Sequence, residues 1–412
     1  MALICRDILK LPSLKELKTV AGRRGLGRQL RWVYVADSFD DIRQAADWLY
    51  GGELVFITGS GIKKDADILA EFIKRINDKS VAGLVVNVGP YIESIPRAAI
   101  EQAEELNFPL FELPWKVKIV EVTHEICSTV ILKEQEETAL NNLLENLLFS
   151  ERSLDENLTD RAGYYGYDLT NACRVGILDI DGFAAFLKQR NINDEKMIAG
   201  IKNDFSKIVY EAFCRNGKKA LTLSRSDSVI FLVQSREEDN EDIKRIIDEI
   251  RKEVSARLYG LSLKAGVGKR YIELNDFRRS FKEADQAMRI ARSEGGADTT
   301  VFYENMGIYT LLVGIKERSI LEGYYLEIMR PLLEYDKINN ADLLRTLEVY
   351  LDENCNITTA SERLFIHRNT MKYRIKKIEE LTRSDLRDLK TCMKFEVGFK
   401  AGKLLENFLK DA

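Results

Sequence analysis

Four short runs rich in β-branched and aromatic residues alternate with three helical patterns between Arg31 and Leu113. The runs are "RWVYVA" (Arg31 to Ala36), "ELVFIT" (Glu53 to Thr58), "GLVVNV" (Gly83 to Val88) and "PLFEL" (Pro109 to Leu113). Between them, "DIRQAADWLY", "DADILAEFIKRIND" and "PRAAIEQAEELN" read as helices. Strands separated by helices predict a mainly parallel α/β sheet. Ligands of such sheets bind beyond the carboxyl ends of the strands. Those ends carry Asp37, Thr58-Gly59-Ser60-Gly61, Asn87-Val88-Gly89-Pro90-Tyr91 and Glu112-Leu113-Pro114-Trp115. Thr58, Ser60, Asn87, Tyr91, Glu112 and Trp115 are therefore candidates for a small-molecule pocket. The plainer reading is that each closes a strand–helix turn.

A chain of 412 residues suggests roughly three domains. All three tryptophans, and every proline except Pro331, lie in the first third, which marks that part as a separate domain. From His124 to Leu148 a proline-free helical stretch carries Ile126, Val130, Ala139, Leu143 and Leu147 on one stripe. It reads either as a dimer-forming helix or as a helix packed on its own domain. A second α/β unit follows, with strands in "CRVGILDID", "LTLSRSDSVIFLVQ" and "GLSLKAGVGKRY". An amphipathic helix then places Phe277, Phe281, Ala284 and Met288 on one face and ends at Gly295-Gly296. Six scattered cysteines without paired spacing read as reduced thiols. Only His124 and His367 are histidines, so neither a His-rich metal site nor multi-imidazole catalysis is expected. No apolar run reaches the ~20 residues of a membrane span, and the start lacks the pattern of an export signal. The expectation is a cytoplasmic protein with no membrane partner.

The chain has a formal net charge of -4, yet Arg368, Lys372, Arg374, Lys376 and Lys377 crowd into "LFIHRNTMKYRIKKIEEL". Before it, "ADLLRTLEVYLDENCN" has helical spacing and an Asn-rich stop. "TTASERLF" reads as a short helix with Thr359 and Glu362 as a capping box. "FIH" reads as a tight turn and "RNTMKYRIKKIEELT" as a longer helix. Met371, Ile375 and Ile378 should face inward, with Leu364 and Ile366 completing the core. Ala360 and Ser361 are small where two helices must meet. A short helix, a tight turn and a cationic longer helix form the helix-turn-helix plan. Its second helix meets base edges with its N-terminal residues. Arg368 suits guanine and Asn369 suits adenine. Thr370, Lys372, Tyr373, Arg374 and Lys376 suit phosphates or groove edges, and His367 sits at the N-cap, within reach of a phosphate. A solvated charge run is the alternative, but the small pair, the turn and the inward apolar set favour DNA.

"LFIHRNTMKYRIKKIEELT" resembles the C-terminal helix-turn-helix signature of the purine-catabolism regulator (PucR) family and the related carbohydrate diacid regulators. "DILKLPSLKELKTVAGRRGLGRQLRWVYVAD", "WLYGGELVFITGSG", "GLVVNVGPY" and "FPLFELPW" resemble that family's N-terminal sensory domain. The middle unit is similar to its degenerate GGDEF-like domain. One departure is Met371, where leucine is more usual; its apolar role is kept. The resemblance implies a multidomain α/β plus all-α protein: a sensory domain at 1–123, a helical linker at 124–165, a GGDEF-like domain at 166–300, a helical connector at 301–339 and a helix-turn-helix domain at 340–412. It also implies a transcription regulator that binds a double-stranded DNA operator and a catabolic small-molecule effector as a homodimer or higher even oligomer. RNA polymerase is a further candidate partner.

Diguanylate cyclases hold metal with a run similar to "LDIDGF" (Leu178 to Phe183) and with a Gly-Gly-Asp/Glu-Glu-Phe hairpin. Here the hairpin reads Arg225-Ser226-Asp227-Ser228-Val229, and the cyclase lysine and Asn-Asp pair are Ala184 and Leu187-Lys188. Asp179 and Asp227 could still approach one Mg²⁺. Without the glycines, however, side chains obstruct a nucleotide, and without the cation phosphoryl transfer loses its main electrostatic support. The domain reads as a scaffold, with no cofactor, no metal and no enzyme activity. Gly266-Val267-Gly268-Lys269 lacks the spacing and the Ser/Thr of a P-loop. The alternatives are a nucleotide cyclase and a metabolite-binding adaptor that never touches DNA.

Overall fold

The computed structural model describes residues 3–37, 42–60, 66–150, 157–236, 239–293, 296, 298–315 and 317–408. Gly61 and Gly295, read from the sequence as turn residues, lie outside them. The chain divides into two units, Met1–Leu140 and Asn141–Ala412.

The first unit opens with a short helix α1 (Cys5–Ile8) and strands β1 (Lys18–Ala21), β2 (Trp32–Val35) and β3 (Glu53–Ile57). Then come α2 (Ala66–Asp78), β4 (Gly83–Val88), α3 (Arg97–Glu105), β5 (Leu110–Pro114) and the 31-residue α4 (Ile119–Phe149). The sheet order is β1-β5-β4-β3-β2. β2 to β5 pair in parallel, as alternation with helices requires; β1 pairs antiparallel with β5. β1 carries only Val20 and Ala21 as apolar residues, too weak a pattern to read from sequence. "DIRQAADWLY" forms a 3-10 helix, Ile42–Trp48, that buries Ile42, Ala45 and Ala46.

Strand residues alternate between the two faces of the sheet. Val55, Ile57, Leu84, Val86 and Leu110 pack with Phe72 and Ile76 of α2 and Ala99 and Ala103 of α3. Leu54, Phe56, Val85, Phe111 and Leu113 pack on the other side with the N-terminal segment and with Val122, Ile126 and Val130 of α4. Coverage on both faces explains why these strands read as nearly continuous apolar runs. The expected α4 stripe is buried at Ile126, Val130, Leu143 and Leu147, but Ala139 is only half-buried.

The second unit begins in α4 and continues with α5 (Leu158–Tyr164), β6 (Cys173–Ile180), α6 (Phe183–Gln189) and α7 (Glu195–Arg215). The hairpin β7 (Ala220–Arg225) and β8 (Ser228–Gln234) follows, then α8 (Asn240–Arg257), β9 (Leu263–Tyr271), α9 (Phe277–Ser293) and β10 (Thr300–Phe302). The order is β10-β9-β6-β8-β7, with β6 antiparallel to both β8 and β9. α7 and α8 cover one face. α9 crosses β9 so closely that a Cβ on Gly266 would sit 2.4 Å from the Ala284 carbonyl oxygen, and one on Gly268 2.1 Å from that of Ser280. The two glycines of "GVGK" serve this helix–sheet approach.

Then come α10 (Tyr309–Val313), α11 (Arg318–Asn339), α12 (Leu343–Asp352), α13 (Ile357–Arg363) and α14 (Arg368–Thr382), with α15 (Leu389–Phe408) closing the described chain. The span expected as a connector, 301–339, contributes to two packing groups. Thr300–Phe302 is an edge strand of the central sheet. Ile328, Met329 and Leu332 of α11 belong to the core that also holds Leu347, Ala360, Met371, Ile375 and Ile378. α15 lies against α11 and also shares a cluster with Ala287 and Ile290 of α9 through Ala401, Leu404 and Leu405.

Candidate nucleic-acid interface

α13 starts where Asn356 caps it. The Asn356 carbonyl oxygen of the side chain accepts from the Thr358 N–H at 2.9 Å and the Thr359 N–H at 3.4 Å. The capping box expected from Thr359 and Glu362 is thus replaced by a single N-cap three residues upstream, because the helix begins at Ile357. The signal was present: asparagine directly before a helical pattern is a strong N-cap.

α13 ends in a Schellman motif. The Phe365 N–H donates to Glu362 O at 3.1 Å and the Ile366 N–H to Ser361 O at 3.0 Å. Phe365 takes the left-handed conformation the motif needs, with φ 56, at a position that glycine usually fills. For a residue with a Cβ this costs about 1 kcal/mol. Ala360 and Ser361 are buried where α13 meets α14.

His367 is the N-cap of α14, and its Nδ1 accepts from the Asn369 N–H at 3.2 Å. Met371, Ile375 and Ile378 are buried as expected, and Leu364 and Ile366 are packed against the same core. Arg368, Asn369, Thr370, Lys372, Tyr373 and Lys376 are exposed. Among the described residues Arg368, Lys372 and Lys376 have no ion-pair partner, whereas Arg363 on α13 is matched by Asp352 and Glu353. Arg374 is different. It is half-buried, and its Nη1 donates to Thr346 Oγ1 at 3.0 Å, tying α14 to α12. The 3.6 spacing leaves Arg374 on the edge of the inward stripe, a distinction that a list of cations does not reveal.

The candidate pocket residues fall into separate groups. The Thr58 N–H donates to Asp37 Oδ1 at 2.7 Å, and Ser60 Oγ lies 3.5 Å from Asp37 O, beyond β2 and β3. Asn87 is buried and its side-chain amide donates to the carbonyls of Leu113 and Pro114, both at 3.2 Å, which fastens β4 to β5. Tyr91 and Trp115 are exposed and meet edge to face at 5.8 Å. Gly89 allows this, since a Cβ there would touch the Trp115 side chain at 2.6 Å. Glu112 is half-buried within β5, opposite Lys18 of β1. At the amino ends of the strands lies a cavity of about 550 Å³ lined by Arg28, Gln29, Arg31, Asn77 and Ser80 among others.

In the central sheet Asp179 is buried, and its Oδ2 accepts from Arg292 at 3.0 and 3.1 Å. Lys264, also buried, lies 3.4 Å from Asp181. Burial pushes the Asp179 carboxyl above the usual carboxylate range against the pull of Arg292, and Asp227 and Asp181 add to the rise. The β7–β8 turn is made by Ser226, with φ 57, and Asp227. Asp179 and Asp181 are thus each paired with a cation of the same domain.

Residues 7–130 match the purine catabolism regulatory protein-like family, residues 150–290 a GGDEF-like domain and residues 343–401 the PucR C-terminal helix-turn-helix domain. The chain is similar to the purine catabolism regulatory protein of Bacillus subtilis, 19% identical over 97% of this chain and 99% of that one. It is 36% identical to the proline-responsive transcriptional activator PutR of Bacillus subtilis over 127 residues, about a third (31%) of each chain. It is 28% identical to the carbohydrate diacid regulator of Escherichia coli over 36% of this chain and 37% of that one. Among solved structures, a regulator of polyketide synthase expression from Bifidobacterium adolescentis covers 65% of this chain and 98% of its own at 13% identity, with a TM-score of 0.30.

Proposed function

Since this chain belongs, by its N-terminal and C-terminal domains, to the purine catabolism regulator (PucR) family, we propose that it is a DNA-binding transcription regulator of a catabolic pathway, switched by a small-molecule effector. One observation carries the reading: the first turns of α14 present Arg368, Asn369 and Lys372 to solvent while Met371, Ile375 and Ile378 anchor the opposite side. Arg368 and Asn369 address base edges, and Thr370, Lys372, Tyr373 and Lys376 address phosphates and groove walls. Two such helices in a homodimer would meet half-sites about one DNA turn apart. The effector binds the first unit and acts only by preferring one arrangement of the assembly. The protein works in the cytoplasm, where its operator is.

A gel-shift titration of wild type and Arg368→Ala on the gene's own upstream region tests this. Loss of one bidentate base contact should weaken binding ~10-fold. Equal shifts, or none, would favour a metabolite-binding adaptor. For the effector, the residues at the carboxyl ends of the strands are the first choice, with Trp115 as reporter. The arginine-lined cavity at the amino ends supports a second location, suited to an anionic metabolite. A metabolite that quenches wild type but not Trp115→Phe favours the first. One that leaves Trp115 silent and is lost in Arg31→Ala favours the second.

A further inference from the structure

We propose that Phe365 is a specificity-determining residue of this interface, its ring packing against the 5-methyl group of a thymine in the major groove. The inference rests on the DNA-binding reading above. Phe365 is 96% exposed, more than any other large apolar side chain among the described residues. It occupies the left-handed C′ position of the α13 Schellman motif, where glycine fits without strain. Folding therefore gains nothing from this side chain: the backbone would be easier with glycine and the ring is buried against nothing. Its neighbours Leu364 and Ile366 both pack toward the core, so the exposed ring stands apart from it, two to four residues before His367, Arg368 and Asn369 in the chain.

Position supplies the partner. Phe365 comes three residues before Arg368, at the amino end of α14, the end that meets base edges. Arg368 and Asn369 can read hydrogen-bonding groups there. A benzyl side chain has no donor or acceptor, and the apolar feature of a base edge in the major groove is the thymine methyl. A protein partner such as a polymerase subunit would call for a contiguous apolar patch of several hundred Å². A single exposed ring, followed in the chain by the exposed polar residues His367, Arg368 and Asn369, does not form one. The ring would thus read a thymine next to the bases that Arg368 and Asn369 address.

The upstream fragment is amplified twice, once with dTTP and once with dUTP, which removes every 5-methyl group. Full-length wild type, Phe365→Gly, Phe365→Leu and Arg368→Ala are titrated on both. Wild type should bind the thymine fragment ~5-fold or more tighter than the uracil fragment. Phe365→Gly should lose that preference while melting at or above the wild-type temperature, and Phe365→Leu should recover part of it. A Phe365→Gly protein with undiminished thymine preference, or a wild type with none, would overturn the proposal. So would a Phe365→Gly protein that binds both fragments like wild type yet fails to stimulate transcription, which would assign the ring to polymerase. If wild type does not shift the fragment, or Arg368→Ala binds as well as wild type, the DNA-binding reading has failed instead.

Discussion

Arg374 and Lys372 lie two positions apart on α14 and should answer differently to the same substitution. Arg374 donates to Thr346 Oγ1, a fully buried hydroxyl on α12. Arg374→Ala removes a charge-assisted bond and should lower unfolding free energy by ~1–2 kcal/mol. Lys372 is exposed and unpaired, so Lys372→Ala should change stability by less than ~0.5 kcal/mol. Its effect should appear instead in the salt dependence of DNA binding, whose logarithmic slope should shrink by about one. Urea melts and salt titrations of both variants check this, and a stable Arg374→Ala with a reduced slope would reverse the assignment. At the start of α13, Asn356→Ala should cost ~1 kcal/mol. Thr359→Ala should cost clearly less, because Asn356 holds the free N–H groups.

At the scale of elements, the helix-turn-helix depends on what stands behind it. Met371 is completely buried between α14 and its neighbours, so Met371→Ala should cost ~2–5 kcal/mol and melt the C-terminal helices. α11 and α15 approach closely at Gly402, where an added Cβ would lie 2.6 Å from the Tyr325 ring. Gly402→Val should destabilise by ~1–3 kcal/mol through overpacking, read as a lower midpoint in thermal melts. An unchanged midpoint would mean that the ring moves aside freely. This pairing also ties α11, within 301–339, to the C-terminal helices. α11 is amphipathic in the way of any surface helix, and its packing partners α12, α14 and α15 place it in the C-terminal helical core.

For the molecule as a whole, the central GGDEF-like domain pairs acidic side chains with cations of its own. Asp179 is held by Arg292 and pushed up by burial. A carboxyl that keeps its proton to higher pH in the folded than in the unfolded chain favours folding in acid, and loses that contribution as pH rises through its folded value. Asp179→Asn removes the effect, so its stability relative to wild type should increase from acid toward neutral pH. Urea melts across that range test it, and a pH-independent difference would contradict the burial argument. Incubation of the purified protein with GTP and Mg²⁺ should yield no cyclic dinucleotide. Product formation would restore the cyclase reading.

Strand and helix alternation, the span of α14 from Arg368 to Thr382 and its inward residues were legible in the sequence. Each depends on short-range periodicity and local propensity, which neighbouring residues carry. Tertiary structure alone decided that Arg374 braces α12, that Asn87 joins two strands and that α11 belongs to the C-terminal core. It also decided that Phe365 is left uncovered. Those outcomes depend on which distant surface meets a side chain, and no spacing along the chain encodes that meeting.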